Sequence, residues 1–166
     1  MLSRYNNLYY LTCTCHKWKP LLVSNERKTI IMNCFNHLFH KGQMKLFAFV
    51  ILDNHFHILY ECAHDSSPSK LKHSLLSFSS KMILQTLTQK EKDWLIVKHQ
   101  KKYRQVWKAH SLNVTIYSEK FRLQKFHYIH KNVARAGLDE RVYRYSSLPS
   151  YLKGVSEYDF LTLWGF

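Results

Sequence analysis

At 166 residues, with 25 Lys and Arg against 11 Asp and Glu, the chain carries a formal charge of +14, far beyond what solubility requires. The length suits one domain over residues 1–166 and excludes a pair of ordinary ones. Basic residues spread along the whole chain and interleaved with aromatics (10 Phe, 11 Tyr, 4 Trp) point to a nucleic-acid partner and not to a membrane surface.

The opening, MLSRYNNLYY, lacks the charged, apolar and cleavage segments of a secretory signal, so the expected location is the cytosol. Residues 8–16, LYYLTCTCH, have the aromatic and Thr content of a strand. Alternation puts Cys13 and Cys15 on one face, and no C-x-x-C pair completes a zinc site, so the cysteines read as reduced structural thiols. A helix is predicted over 24–42, capped by Ser24, striped by Ile30, Ile31, Cys34 and Leu38, and stopped by Gly42.

Residues 44–53, MKLFAFVILD, are apolar on both faces and read as a central strand. Their apolar run, Leu46 to Leu52, is far short of the ~20 residues a membrane helix needs. The turn-prone Asp53-Asn54 joins it to HFHILYEC, 55–62, as a hairpin partner. Residues 66–69, SSPS, read as a loop, and 70–87 as a second helix through Leu71, Leu75, Phe78 and Ile83.

The basic stretch 90–105 is either a short helix or a mobile segment. Residues 106–118 read as a strand or extended stretch, and 118–137 as a helix capped by Ser118 and stopped by Gly137. The tail from 145 onward reads as irregular and aromatic. This order predicts an α+β, ferredoxin-like (RRM-like) fold: an antiparallel sheet with helices packed on one face and an extra C-terminal helix.

On the strand 55–62, His55 and His57 share one face while Phe56, Ile58 and Tyr60 take the other. Two imidazoles side by side supply nitrogen ligands to a divalent ion, with the remaining positions open. Eleven histidines make the spacing alone weak, so surface histidines on a sheet face are an equal alternative. The pairs His37/His40 and His127/His130 read as residues of solvated or half-buried helix faces.

In the last long helix, Leu123, Phe126, Ile129, Val133 and Ala136 form the stripe expected to pack on the sheet. Tyr128 and Asn132 lie off it, four residues apart, with Gln124 and Arg135 on the same flank. A phenol is a weak nucleophile unless a metal or base assists, but it can form a covalent phosphoester. Taken singly, Tyr128 reads better as a ring packed at a helix edge.

Together, VILDNHFHILYE and FHYIHKNVARAGL resemble the single-tyrosine HUH transposases, and the spacing is most similar to the REP-associated tyrosine transposase branch. ARAGL and the later YRYSSLPSY extend the likeness over nearly the whole chain. The resemblance implies His55 and His57 as the HUH pair, Tyr128 as the catalytic nucleophile, and Asn132 as the third ligand of Mg²⁺ or Mn²⁺. It also implies single-stranded DNA with a hairpin as substrate, cleaved through a 5′-phosphotyrosine link and rejoined without ATP. Lys101, Lys102, Arg104 and Lys108 are the expected phosphate contacts, together with Arg122, Lys125, Arg135 and Arg141. Relatives act as homodimers sharing active sites or as monomers, and both stay open.

The chain departs from the family pattern in having Leu52-Asp53 where Met-Pro is common, and Asn132-Val133 where Asn-Pro is common. The tryptophan-glutamine and glycine-tyrosine cluster before the last helix is reduced to Trp107-Lys108, which bears on DNA choice and activity. Two rivals stand beside this reading. One is a ferredoxin-like nucleic-acid-binding module, faintly echoed by AFVIL, 48–52; the other is an inactive, domesticated transposase.

Overall fold

The computed structural model describes residues 7–98 and 102–165. Its main sheet uses β1 (Leu8–Thr14), β2 (Met44–Ile51), β3 (His55–Cys62) and, later in the chain, β6 (Leu112–Thr115). The spatial order is β2-β3-β1-β6, and each pairing is antiparallel, the order expected of a ferredoxin-like sheet. Helix α1 (Asn25–His40) connects β1 to β2, and α2 (Pro68–Thr86) follows β3.

Ser24 caps α1 by accepting from the Arg27 backbone N–H, as its sequence position predicts. Helix α2 starts earlier than the Pro-containing SSPS loop implies. Ser67 is its cap and Pro68 its first residue, where the missing N–H costs nothing.

Alternation along the strands creates two cores. One face buries Leu11, Cys13, Phe49, Phe56 and Ile58 against α1 and α2. The other buries Leu8, Tyr10, Ala48, Val50 and Leu59 under α4 (Glu119–Arg135), through Phe126, Ile129 and Val133. The extra helix thus covers the face that α1 and α2 leave open. Its stripe is narrower than predicted, since Leu123 is half-buried and Ala136 is an exposed cap. A bulge between Leu46 and Ala48 breaks alternation in β2 and sends both Phe47 and Ala48 into the second core.

The stretch 90–105 is neither simply helical nor unstructured where it is described. α3 (Gln89–Trp94) is followed by a hairpin of β4 (Ile96–Lys98) and β5 (Lys102–Arg104). Arg27 anchors α3: its guanidinium reaches Glu91 Oε1 and Oε2 at 2.7 and 3.0 Å, and Thr86 Oγ1 at 3.0 Å. That bidentate pair, first among several hydrogen bonds, holds the Glu91 carboxyl down at about 2.

A carboxyl depressed below its unfolded value adds stability above pH 4.5 that is lost as pH falls toward 2. Glu91→Gln is therefore expected to cost about 2 kcal/mol at neutral pH and to flatten the acid limb of stability. Urea melts at pH 7 and pH 3 check this; equal pH slopes for both proteins contradict it.

The tail also departs from expectation. It forms α5 (Leu148–Lys153), ended by Gly154 at φ +69°, a left-handed cap that glycine adopts without strain. It then bridges β2 at Val50 through Ser146 and at Leu46 through Leu161, covering an edge strand that would otherwise be open. Among the described residues, no helix is long and apolar enough to cross a membrane.

Candidate active site

His55 and His57 stand at the start of β3, on the face covered by α4. His57 pairs with Thr12 of β1 on one side and Val50 of β2 on the other, so it sits mid-sheet and is 4% exposed. Its Nδ1 lies 2.7 Å from Thr12 Oγ1 and 2.8 Å from Tyr10 Oη, and Thr12 Oγ1 donates to Tyr10 Oη at 3.0 Å. Its other nitrogen, Nε2, is buried and has no hydrogen-bond partner among the described residues. Burial, helped by His55 and Lys125, lowers its pKa to about 3, so the ring is neutral at physiological pH.

His55 is half-buried, its pKa lowered by desolvation, and its ring centre is 4.9 Å from that of His57. Asn54 Oδ1 lies 2.6 Å from His55 Nδ1. A carbonyl oxygen only accepts, so Nδ1 carries the proton and Nε2 keeps its lone pair. The turn itself is pinned by Lys28, whose ammonium meets Asp53 Oδ1 at 2.7 Å.

Helix α4 brings the phenol to this pair. Ser118 caps it as predicted, and the Phe126, Ile129, Val133 stripe turns Tyr128 toward the two central strands. The Tyr128 ring is 38% exposed and stands edge-on to His57 at 5.4 Å and to Tyr10 at 6.3 Å. Lys125 Nζ lies 4.6 Å from the Tyr10 ring centre and 5.8 Å from that of Tyr128, and Arg135 lies 5.2 Å from the latter. Asn132 is buried one turn on; its Nδ2 donates to the Tyr128 carbonyl at 2.6 Å, leaving Oδ1 as its second functional atom.

The remaining expected residues are scattered. Lys108 is exposed, with its ammonium 5.7 Å from the Trp18 ring beside His55. Arg104 is exposed on β5 and Arg141 follows α4; Lys101 lies outside the described residues, and Lys102 is placed only by its backbone in β5. Arg122 corrects its expectation as a phosphate contact. It is 3% exposed, paired with Glu119 and stacked 4.3 Å from Trp164, because its helix position faces the core.

His130 lies deeper than the solvated or half-buried face predicted for it: it is buried, 2.8 Å from Ser147 Oγ, because the segment leading into α5 covers it. Gln124 is exposed, one turn before Tyr128 on α4. Sequence reasoning missed Tyr10, Thr12, Asn54 and Trp18. Their one visible signal was the alternation of β1, which puts Tyr10 and Thr12 on a common face.

Of the four candidate residues, His57 and Asn132 are buried, His55 is half-buried and Tyr128 is exposed. A concave groove of about 670 Å³, lined by His37, Lys41, His73 and Phe78, lies between α1 and α2 on the other side of the sheet.

The family model "Transposase IS200 like" matches residues 4–132, which is more than half of the chain. The match and the fold define a transposase-class, DNA-binding α+β domain. The chain belongs to the IS200-like transposase family. Among solved structures it is similar to a REP-associated tyrosine transposase bound to a REP hairpin, at 13% identity and TM-score 0.67, covering 100% of this chain and 92% of that one. It is also similar to a candidate transposase from Deinococcus radiodurans R1, at 14% identity and TM-score 0.55, covering 79% and 94%. None of the curated proteins compared matches the sequence.

Proposed function

We propose that this chain cleaves and rejoins single-stranded DNA, with Tyr128 as nucleophile and a divalent cation, Mg²⁺ or Mn²⁺, held by His55, His57 and Asn132. The observation that carries the reading is the buried Nε2 of His57, without a partner among the described residues, on a ring 5.4 Å from that of Tyr128.

The donor set fits such an ion. Burial keeps His57 neutral at physiological pH and lowers the pKa of His55, and the Asn54 carbonyl at His55 Nδ1 sets that ring in a ligand's tautomer. Of the two tautomers that the hydroxyls around His57 Nδ1 permit, the one with Nδ1–H donating to Thr12 Oγ1, and Thr12 O–H to Tyr10 Oη, leaves Nε2 as the bare lone pair a metal ligand needs. Asn132 contributes an amide oxygen; among the described residues no group of three His, Cys, Asp or Glu gathers. A cation bound there supplies positive charge to a non-bridging oxygen of the scissile phosphate.

The chain's own groups do the rest. The Tyr128 oxygen forms a new P–O bond while the bond to the 3′ oxygen breaks; the phenol proton leaves to solvent, and the 3′ oxygen takes one up. One phosphoester replaces another of similar energy, so a 3′-hydroxyl from another strand can reverse the step. Lys125 and Arg135, flanking the ring, meet the phosphates on either side of the break. Because one chain brings Tyr128 to its own His57, the arrangement supports a monomer as the active unit. The hairpin bound by the REP-associated relative supports a hairpin-forming substrate here.

The test is incubation of the protein and Tyr128→Phe with labelled hairpin DNA, with Mn²⁺ or EDTA, followed by denaturing electrophoresis. The expected result is a metal-dependent covalent adduct that the variant lacks. Retarded DNA in native gels with no adduct from either protein would instead identify a binding module.

A further inference from the structure

We propose that the indole of Trp18 is a stacking platform for a base of the bound single strand, beside the nucleotide whose phosphate meets His55 and Tyr128. The inference rests on the single-strand reading above and deepens it by naming the group that grips a base face.

Trp18 is 56% exposed, and its ring centre lies 6.0 Å from that of His55. The backbone that holds it out is unusual: Lys17 and Trp18 adopt φ of +52° and +59°, consecutive left-handed residues without a glycine. Such a turn persists only when its surroundings enforce it, and here they do. Trp18 N–H donates to Cys15 at 3.0 Å, His16 N–H to Val106 at 2.7 Å, and Asn54 Nδ2 to the Trp18 carbonyl at 3.4 Å.

Asn54 therefore grips the Trp18 turn with one end of its amide and His55 with the other. The platform and the candidate ligand are set in one frame.

Charge around the ring matches a nucleotide. Lys108 reaches within 5.7 Å of the ring centre from the segment before β6, and Lys17 is exposed beside it. A base has an aromatic face for the indole and a phosphate on each side for these ammonium groups, and stacking of this kind tolerates any sequence. An exposed indole flanked by cations, 6.0 Å from the His55 ring, thus selects an unpaired, unstacked nucleotide over duplex.

The experiment measures affinity for a fluorescein-labelled hairpin with a single-stranded extension, in the non-cleaving Tyr128→Phe background. Trp18 is compared with Trp18→Ala and Trp18→Phe, on intact DNA and on a series carrying one abasic nucleotide at each extension position. With Trp18 present, one abasic position is expected to weaken binding about tenfold; Trp18→Ala loses about tenfold on intact DNA and no longer senses that position. Trp18→Phe recovers most of the affinity.

Equal affinity of Trp18→Ala within twofold, or an unchanged abasic profile, overturns the platform while leaving cleavage by the wild-type chain as support for the underlying reading. A wild-type chain that neither binds nor cleaves these strands overturns both.

Discussion

His57→Ala is expected to abolish metal-dependent strand cleavage, lowering the rate by about 10³-fold or more. Loss of a ligand forfeits several kcal/mol of charge stabilisation at the phosphate, and each ~1.4 kcal/mol is tenfold in rate. The hairpin should still bind, because affinity comes mainly from Lys and Arg at the phosphates. Thr12→Val is the graded companion. It removes the hydroxyl 2.7 Å from His57 Nδ1 but leaves both imidazoles, so metal affinity should fall about 10–100-fold and excess Mn²⁺ should restore the rate. Single-turnover cleavage over a metal titration checks both; His57→Ala retaining activity within tenfold of wild type contradicts the ligand assignment.

Phe35→Ala is expected to cost about 3–5 kcal/mol, a large share of the ~5–15 kcal/mol that holds a domain of this kind. Phe35 is fully buried on α1, and its ring meets Phe49, Phe56 and Phe160 edge-on at 5.9, 5.8 and 6.1 Å. Truncation opens a cavity where helix, both strands of the hairpin and the tail converge. Because Phe56 lies between His55 and His57, loosening that core also loosens the site. Equilibrium urea unfolding measures the cost; a loss below about 1 kcal/mol means that the cavity collapses, and that the tail is not part of a cooperative core.

What was legible in the sequence was whatever local periodicity encodes. Period-two alternation put His55 and His57 on one face, and period 3.6 with Ser118 as cap set Tyr128 and Asn132 on a flank of α4, as observed. The helix and strand order gave the sheet, because ferredoxin-like connections leave few other arrangements.

What depended on partners distant in the chain was not legible. Thr12 and Tyr10 reach His57 across 45 and 47 residues, and only the β1–β3 register brings them there. His130 and Arg122 read as surface residues because Ser147 and Trp164, which cover them, come from the tail. Strands as short as Ile96–Lys98 show too little alternation to be recognised. The bulge in β2 changes the face of Phe47 with no Gly or Pro to mark it.

The central claim is that Tyr128 becomes covalently joined to the 5′ end of cleaved DNA. The most direct measurement is mass spectrometry of the Mn²⁺ reaction after nuclease trimming and proteolysis, which locates any added nucleotide on a peptide. The expected result is a nucleotide phosphate on the peptide containing Tyr128, absent when EDTA is present. Cleaved DNA with an unmodified Tyr128 peptide, or a nucleotide carried by another side chain, would contradict it.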